Sequence, residues 1–259
     1  MTVVPLDEDY HVHSTFSDDA SSTVAENVRA ARDRGLRTLC LADHVRQDTA
    51  WVPEFAAAVA DYRGQPGPRV LAGVEAKILD SAGRLDLPPR LDGIDLVLIA
   101  DHQFPGDDGP VHPDRVRAAI AGGKLGAAEA IERLCEATAS ALHVTDGGRV
   151  LAHLFSLLPK IGLDEAMVPG PLLTRLASRV AAAGAMVEVN EKWACPSART
   201  AAAMVRAGVT VVAGSDSHYC RNVGVYRSVR LTAARLTPGP RTADRTNANG
   251  VTAGAEAPG

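Results

Sequence analysis

Aromatic residues are scarce in this chain of 259 residues, where Phe, Trp and Tyr together make up 4% of the sequence. Surfaces that stack the bases of single-stranded nucleic acids depend on aromatic side chains, so this scarcity argues against such a surface. No charge of one sign is in large excess, because the formal net charge is -4 at pH 7. Nothing in this mild acidity indicates a nucleic-acid backbone or an anionic membrane as the main partner.

Cysteines are few and far apart, with no CxxC pair among Cys40, Cys135, Cys195 and Cys220. This spacing predicts free, mostly buried thiols in a reducing compartment. The N-terminus has no basic start followed by a long apolar run, and no apolar stretch reaches membrane-spanning length without charges or glycines. We therefore expect a cytoplasmic protein with no membrane partner.

Three common catalytic motifs are also absent from the sequence, namely a serine nucleophile elbow, a Walker loop and a GxGxxG run. The sequence instead alternates short apolar runs with helical segments. Seven runs are predicted as strands, at about residues 10–14, 37–44, 69–75, 94–100, 149–152, 186–190 and 209–213. Such alternation predicts parallel βαβ units, in either an open doubly wound sheet or a closed barrel.

Other segments are predicted from local signals. Thr23 followed by Glu26 is typical of a helix N-cap, and the segment around Ser81-Ala82-Gly83 favours a small hairpin. The Gly- and Pro-rich segment 105–113 is expected to be a mobile loop near the site. Residues 1–235 are predicted to form one domain, and residues 236–259 are predicted to be a disordered tail.

The first predicted strand carries the segment His11-Val12-His13. Side chains two apart on a strand point to the same side, so the two imidazoles would face one point. Imidazole is a common ligand for first-row metals. Taken alone, however, this pair fits ordinary histidines near a terminus equally well.

The later predicted strands end in further candidate ligands, which are His44, Glu75, His102, His153 and the pair Asp216 and His218. In α/β barrels and open sheets, function gathers at the carboxyl ends of the strands. This set is too large for one tetrahedral ion, which indicates a cluster of several metals suited to hydrolysis. The mix of nitrogen and oxygen favours Zn, Mn or Fe over Mg or Ca alone. We expect Asp43 to orient an imidazole, and we expect no ligand role for His112 and His143.

In this order, the motifs HVHSTFSDD, ADH, GVE, LAH and GSDSH resemble the PHP (polymerase and histidinol phosphatase) family over about residues 9–225. The resemblance implies an α/β fold, a distorted (β/α)7 TIM-like barrel with a trinuclear metal site at the strand C-termini. The implied ligand sets are His11, His13, Glu75 and Asp216 for one ion, Glu75, His102 and His153 for the second, and Asp18, His44 and His218 for the third. Within the first motif, the family position matches Asp18 rather than Asp19.

The resemblance also implies a phosphoric ester hydrolase, acting on a small-molecule phosphomonoester such as histidinol phosphate. In this hypothesis Glu75 bridges two ions, a metal-bridging hydroxide attacks phosphorus, and Asp216 or His218 protonates the leaving oxygen. Cationic contacts to phosphate are expected from Lys77, Lys160, Lys192 and Arg221, each of which also fits a solvated surface charge.

Two alternatives remain open at this point. One is a nucleotide or nucleic-acid phosphodiesterase or exonuclease, against which the negative net charge and the few aromatic residues argue. The other is a metal-binding regulatory module without turnover. The full set of candidate ligands argues against that module, because buried multinuclear ligands are costly to keep deprotonated.

Overall fold

The structure is a computed structural model that describes residues 4–143 and 147–237. Within these residues the strands are β1 Glu8–Val12, β2 Thr38–Val45, β3 Arg69–Lys77, β4 Leu96–Ala100, β5 Phe104–Gly106, β6 Gly109–Val111, β7 Gly148–Ala152, β8 Met186–Asn190 and β9 Val211–Gly214. Seven of them form one sheet in the order β1-β2-β3-β4-β7-β8-β9, and each neighbouring pair is parallel.

The two edge strands of this sheet approach each other and nearly close it into a barrel. The Ser217 carbonyl, just after β9, accepts a hydrogen bond of 2.8 Å from the His13 amide, just after β1. The Ser217 amide in turn donates to the His11 carbonyl at 3.3 Å. The prediction of an α/β, distorted TIM-like barrel is therefore confirmed.

Helices surround the barrel. They are α1 Val24–Asp33, α2 Val52–Ala60, α3 Pro113–Ala121, α4 Ala127–Ala141, α5 Leu157–Lys160, α6 Gly170–Ala182, α7 Ala198–Arg206 and α8 Ser228–Leu236, with short 3₁₀ turns at Glu165–Met167 and Cys220–Asn222. Helix α1 begins with the predicted cap, since the Thr23 hydroxyl accepts from the Glu26 amide at 3.2 Å and the Glu26 carboxylate accepts from the Thr23 amide at 2.8 Å. None of the described helices is long and apolar enough to span a bilayer.

Of two local predictions, one agrees with the structure and the other does not. Ile78 pairs with Leu85 in an antiparallel bridge, as the predicted hairpin requires. The segment expected to be a mobile loop instead contains the antiparallel pair β5 and β6. Its two-residue turn, Asp107-Asp108, connects the paired Gly106 and Gly109, and Phe104 anchors the hairpin in the main core.

No helix was predicted over the segment that α8 covers, and this helix ends at Leu236. Most of the predicted tail, residues 238–259, lies outside the described residues. The extent of the domain therefore stays a prediction.

Strand alternation determines which side chains point into the barrel. Leu39 and Leu41 of β2 pack outward against α1 and α2, whereas Cys40 and Ala42 face a separate interior cluster of apolar side chains. Continuing the same alternation brings His44 to the interior at the carboxyl end of the barrel. On β3 and β4 the same alternation leads to Glu75 and His102. Strand β1, in contrast, is irregular between Asp9 and Val12, and His153 after β7 has a φ of 31°.

Candidate metal centre

Glu75, at the carboxyl end of β3, is buried at the centre of a histidine cluster. Its Oε1 lies 2.8 Å from His153 Nε2 and 3.1 Å from His102 Nε2. Its Oε2 lies 2.8 Å from His44 Nδ1, 3.5 Å from His11 Nε2 and 3.7 Å from His13 Nε2. A carboxylate with this many imidazoles around both oxygens is suited to bridging two ions.

Three buried atoms of this cluster make no well-aligned hydrogen bond among the described residues: His11 Nε2, His13 Nε2 and Glu75 Oε2, whose 2.8 Å contact with His44 Nδ1 is poorly aligned. Leaving buried polar atoms without partners costs free energy, so such atoms in a folded protein call for an explanation. The ligand atoms of these three residues lie within 4.8 Å of one another. Two imidazole nitrogens and a carboxylate oxygen are ligands of Zn and similar ions, so these residues fit a bound metal.

Two further groups converge in the same way, with ligand atoms within 4.8 Å of one another: His13, His44 and His218, and His44, Glu75 and His102. Asp216 adjoins the first of these groups, because its Oδ1 lies 3.5 Å from His13 Nε2 and 3.6 Å from His218 Nδ1. The three groups share members, which is the arrangement expected of adjacent metal positions rather than of one isolated ion.

The structure brings every predicted ligand except Asp18 into this cluster. The Asp18 side chain is 82% exposed and its nearest charged partner is Arg46, at 4.0 Å. Asp19 takes the position instead, with Oδ2 3.0 Å from His218 Nε2 and 3.6 Å from His44 Nε2. The geometry therefore favours Asp19 over Asp18 for the third ligand set, and the choice between them stays a prediction. Segment 15–19 is a turn, in which strand alternation no longer tells neighbouring side chains apart.

The two remaining histidines lie outside the cluster, as expected. His112 is exposed and caps α3, with its Nδ1 accepting from the Asp114 amide at 3.2 Å. His143 is exposed just beyond the end of α4.

Sequence reasoning missed Glu188 of β8, which is fully buried. Its two carboxylate oxygens lie 3.1 Å and 3.2 Å from His11 Nδ1, and Oε2 accepts from the His153 amide at 2.8 Å. By accepting from Nδ1, Glu188 turns His11 Nε2 toward Glu75. A signal was present, because a glutamate between two valines of a buried strand is costly unless it is paired.

Other polar side chains hold the remaining ligands in place. Asp101 Oδ1 lies 3.3 Å from His153 Nδ1 and accepts from the Ser156 hydroxyl at 2.8 Å. Asp43 acts indirectly, since it accepts from the Ser17 hydroxyl at 2.7 Å and that hydroxyl lies 3.4 Å from His13 Nδ1. Asp43 thus orders the turn after β1 instead of contacting an imidazole.

Burial and charge set the protonation of the cluster. Burial lowers the pKa of His13 to about 3, so this imidazole is neutral and presents a lone pair. Burial would raise the pKa of Glu75, but the adjacent His102 and His11 hold it well below its usual value. His13 and Glu75 are thus in the forms in which they bind metals. Burial would lower the pKa of three other imidazoles, but the adjacent carboxylates raise it, to about 10 for His153, so a bound ion must displace the protons of His11, His44 and His153.

The family model described as PHP domain matches residues 9–192, which contain most of this cluster. The chain belongs to the PHP domain family. A probable phosphatase of Caldanaerobacter subterraneus subsp. tengcongensis is 27% identical over 235 residues, covering 86% of this chain and 81% of the relative. A probable phosphatase of Vibrio vulnificus (strain YJ016) is 33% identical over 125 residues, covering 46% of this chain and 50% of the relative.

A solved structure shares the PHP fold of this chain. The histidinol phosphate phosphatase of Lactococcus lactis subsp. lactis, crystallised with zinc, L-histidinol and phosphate, matches with a TM-score of 0.62 at 16% identity, covering 88% of this chain and 93% of that chain. Both relatives are named probable phosphatases, which confirms the general prediction of a phosphoric ester hydrolase.

Two cavities of this PHP domain open onto the cluster. The first, here called the metal-side cavity, has a volume of about 410 Å³ and is lined by residues that include His44, Glu75, His102, Lys77 and Trp193. The second, here called the Tyr219 cavity, has a volume of about 590 Å³ and is lined by residues that include Glu191, Ser215, Tyr219, Asn222 and Val225. Asp19, Lys192 and Asp216 line both, so the two cavities meet at the cluster.

The four predicted phosphate contacts lie in different places. Lys192 Nζ lies 3.2 Å from Asp216 Oδ1, between the two cavities. Lys77 lines the metal-side cavity and pairs with Asp86 at 3.3 Å. Lys160 lines neither cavity, and its Nζ lies 3.8 Å from the centre of the ring of Trp193, which lines the metal-side cavity.

Arg221 lines neither cavity, and its guanidinium carbon lies 4.3 Å from the centre of the Tyr219 ring. Arg46, which was not predicted, does line the metal-side cavity. It follows His44 by two residues, so continuing the β2 alternation by one step would have found it.

Proposed function

We propose that this PHP domain hydrolyses a small-molecule phosphomonoester at a site that holds three divalent or transition metal ions. The observation that carries the proposal is the convergence of the unpartnered buried atoms of His11, His13 and Glu75 with two further ligand groups. The proposed ligands are His11, His13, Glu75 and Asp216 for one ion, Glu75, His102 and His153 for the second, and Asp19, His44 and His218 for the third. Zn, Mn or Fe suits this mixture of nitrogen and oxygen.

Bound ions would neutralise the phosphate oxygens and lower the pKa of a water for attack on phosphorus. The side chains around the metal-side cavity supply the remaining positive charge. Lys192, at the meeting point of the two cavities, is placed to donate to a phosphate oxygen, and Lys77 and Arg46 line the wall of the metal-side cavity. Among the described residues, five carboxylates line the same cavity, so a preference for a dianionic monoester over a singly charged diester depends on bound ions together with these cations.

The leaving group is assigned to the Tyr219 cavity, which adjoins the cluster and carries fewer charges. His218 and Asp216 both line this cavity. Burial would raise the pKa of Asp216, but the adjacent His11 and His13 lower it, so this carboxyl stays ionised and His218 is the residue placed to deliver a proton to the leaving oxygen. The Lactococcus lactis neighbour, solved with L-histidinol and phosphate, makes histidinol phosphate a substrate to include in a test panel.

Phosphate release from a panel of monoesters, with Zn or Mn added, tests the proposal. We expect His13→Ala to lower the rate by at least about 100-fold, because His13 belongs to two of the ligand groups. His112→Ala is the matched control, since this histidine is exposed and outside the cluster. Equal release from wild type and His13→Ala would contradict the proposal.

The same assay separates the two alternatives. A phosphodiesterase or nuclease would hydrolyse bis(p-nitrophenyl) phosphate or oligonucleotides faster than p-nitrophenyl phosphate. A metal-binding regulatory module would bind several ions per chain and hydrolyse neither class of ester. A cytoplasmic location stays a prediction.

A further inference from the structure

Exposed large hydrophobic side chains gather at the candidate site. Among the described residues, five large hydrophobic side chains are exposed, namely Met167, Trp193, Tyr219, Val225 and Leu231. Trp193 lines the metal-side cavity, and Tyr219 and Val225 line the Tyr219 cavity. Exposed apolar groups in a concave site mark a surface that contacts a ligand.

The two cavities differ in chemistry. The metal-side cavity is surrounded by charged and imidazole side chains, which suits phosphate. In the Tyr219 cavity, Lys192 is the one lysine or arginine among the described lining residues. Of the three carboxylates that line this cavity in the described part of the chain, Asp19 and Asp216 belong to the cluster, and Glu191 accepts from the backbone amides of residues 227–229 at 2.9 to 3.1 Å at the start of α8.

Trp193 is less suited than Tyr219 to receive a ring. The Lys160 ammonium lies 3.8 Å from the centre of the Trp193 ring, and that of Lys192 lies 5.9 Å from it. Two ammonium groups close to one indole leave a charged surface that favours phosphate over an apolar group.

Tyr219 lines its cavity with a partly exposed side chain. The Arg221 guanidinium carbon lies 4.3 Å from the centre of the Tyr219 ring, and Arg221 is not among the described residues that line the cavity. The Tyr219 side chain remains 43% exposed although its backbone is fixed. Next to it, the Cys220 amide donates to the Ser22 hydroxyl at 2.7 Å, and the Tyr219 carbonyl accepts from the Ser217 hydroxyl at 2.6 Å.

We propose that Tyr219 selects substrates whose leaving alcohol carries a planar, unsaturated ring, by stacking on that ring within the Tyr219 cavity. This inference rests on the proposed phosphomonoesterase function. Aromatic rings prefer offset or edge-to-face contacts, which an aliphatic ring of the same size does not make as well. Tyr219 directly follows His218, so a stacked ring would lie beside the residues that face the leaving oxygen.

The test compares benzyl phosphate with cyclohexylmethyl phosphate, two monoesters of primary alcohols with the same number of carbons. We expect wild type to prefer the benzyl ester by about 5-fold in kcat/KM, mainly through KM. Tyr219→Leu removes the preference and Tyr219→Phe keeps it. Leu231→Ala, which removes an exposed hydrophobic side chain that lines neither cavity, also keeps it.

The inference is overturned if Tyr219→Leu keeps the preference for the benzyl ester. It is also overturned if this substitution lowers kcat/KM equally for both esters. If wild type hydrolyses neither ester nor any other in the panel, the proposed function itself fails. The affinities of benzylphosphonate and cyclohexylmethylphosphonate, measured by calorimetry, then decide the stacking inference separately. Equal affinities in wild type overturn it, and a benzyl preference lost only in Tyr219→Leu supports it.

Discussion

At the scale of single residues, the spacing of ionisable side chains predicted most of the cluster. Ligand candidates that end a strand, such as His44 and Glu75, follow the interior-facing positions of that strand, so alternation alone brings them together. Asp18 and Asp19 lie in a turn, where no period distinguishes them. Glu188 was missed because its role depends on a contact with a residue 177 positions away.

The choice between Asp19 and Asp18 can be decided by metal content. We expect Asp19→Ala to bind about one ion fewer per chain than wild type, because Asp19 lies against both His44 and His218. Asp18→Ala is the matched control, and it should retain the full content because its side chain points to solvent. Elemental analysis of the zinc-loaded proteins measures the number of ions per chain in both variants. The reverse result would restore Asp18 as the ligand.

At the scale of elements, the alternation of helix and strand predicted the seven parallel strands, and their bounds differ by a few residues. The β5 and β6 hairpin was missed because its Gly- and Pro-rich composition also fits an irregular loop. Strands β8 and β9 lie in a close contact that amino-acid composition does not reveal. Asn190 pairs with Gly214, and the buried Glu188 side chain lies directly against Gly214.

Gly214→Ala tests this close packing of β8 on β9. A Cβ at Gly214 would lie 1.8 Å from Glu188 Oε1, so the carboxylate must leave its position on His11. We expect a loss of about 1–3 kcal/mol in the free energy of unfolding. Gly170→Ala is the control, since no atom lies within 4 Å of its added Cβ. Urea denaturation measures the free energy of unfolding of both variants. Equal values would show that Glu188 moves without a loss of stability.

At the scale of the whole molecule, the candidate site lies across the closure of the barrel. His11 and His13 belong to the first strand and its end, and Asp216 follows the last strand of the sheet. His13 Nε2 and Asp216 Oδ1 lie 3.5 Å apart across this seam, next to the hydrogen bonds of Ser217. An ion held by both sides would therefore join the two ends of the sheet. Single motifs could not predict this link, because it depends on the order of all seven strands.

Removal of metal should therefore lower the stability of the whole barrel. At free zinc about 100-fold above the dissociation constant, binding adds about 2.7 kcal/mol, which corresponds to about 5–10 °C in Tm. We expect chelation to lower the Tm of wild type and of His112→Ala by this increment. The Tm of His13→Ala should change little on chelation. Amide hydrogen exchange at His13 and Ser217 should rise on chelation, because these amides form the seam. A Tm that does not respond to zinc or chelator, with unchanged exchange at these two amides, would show that the closure needs no ion.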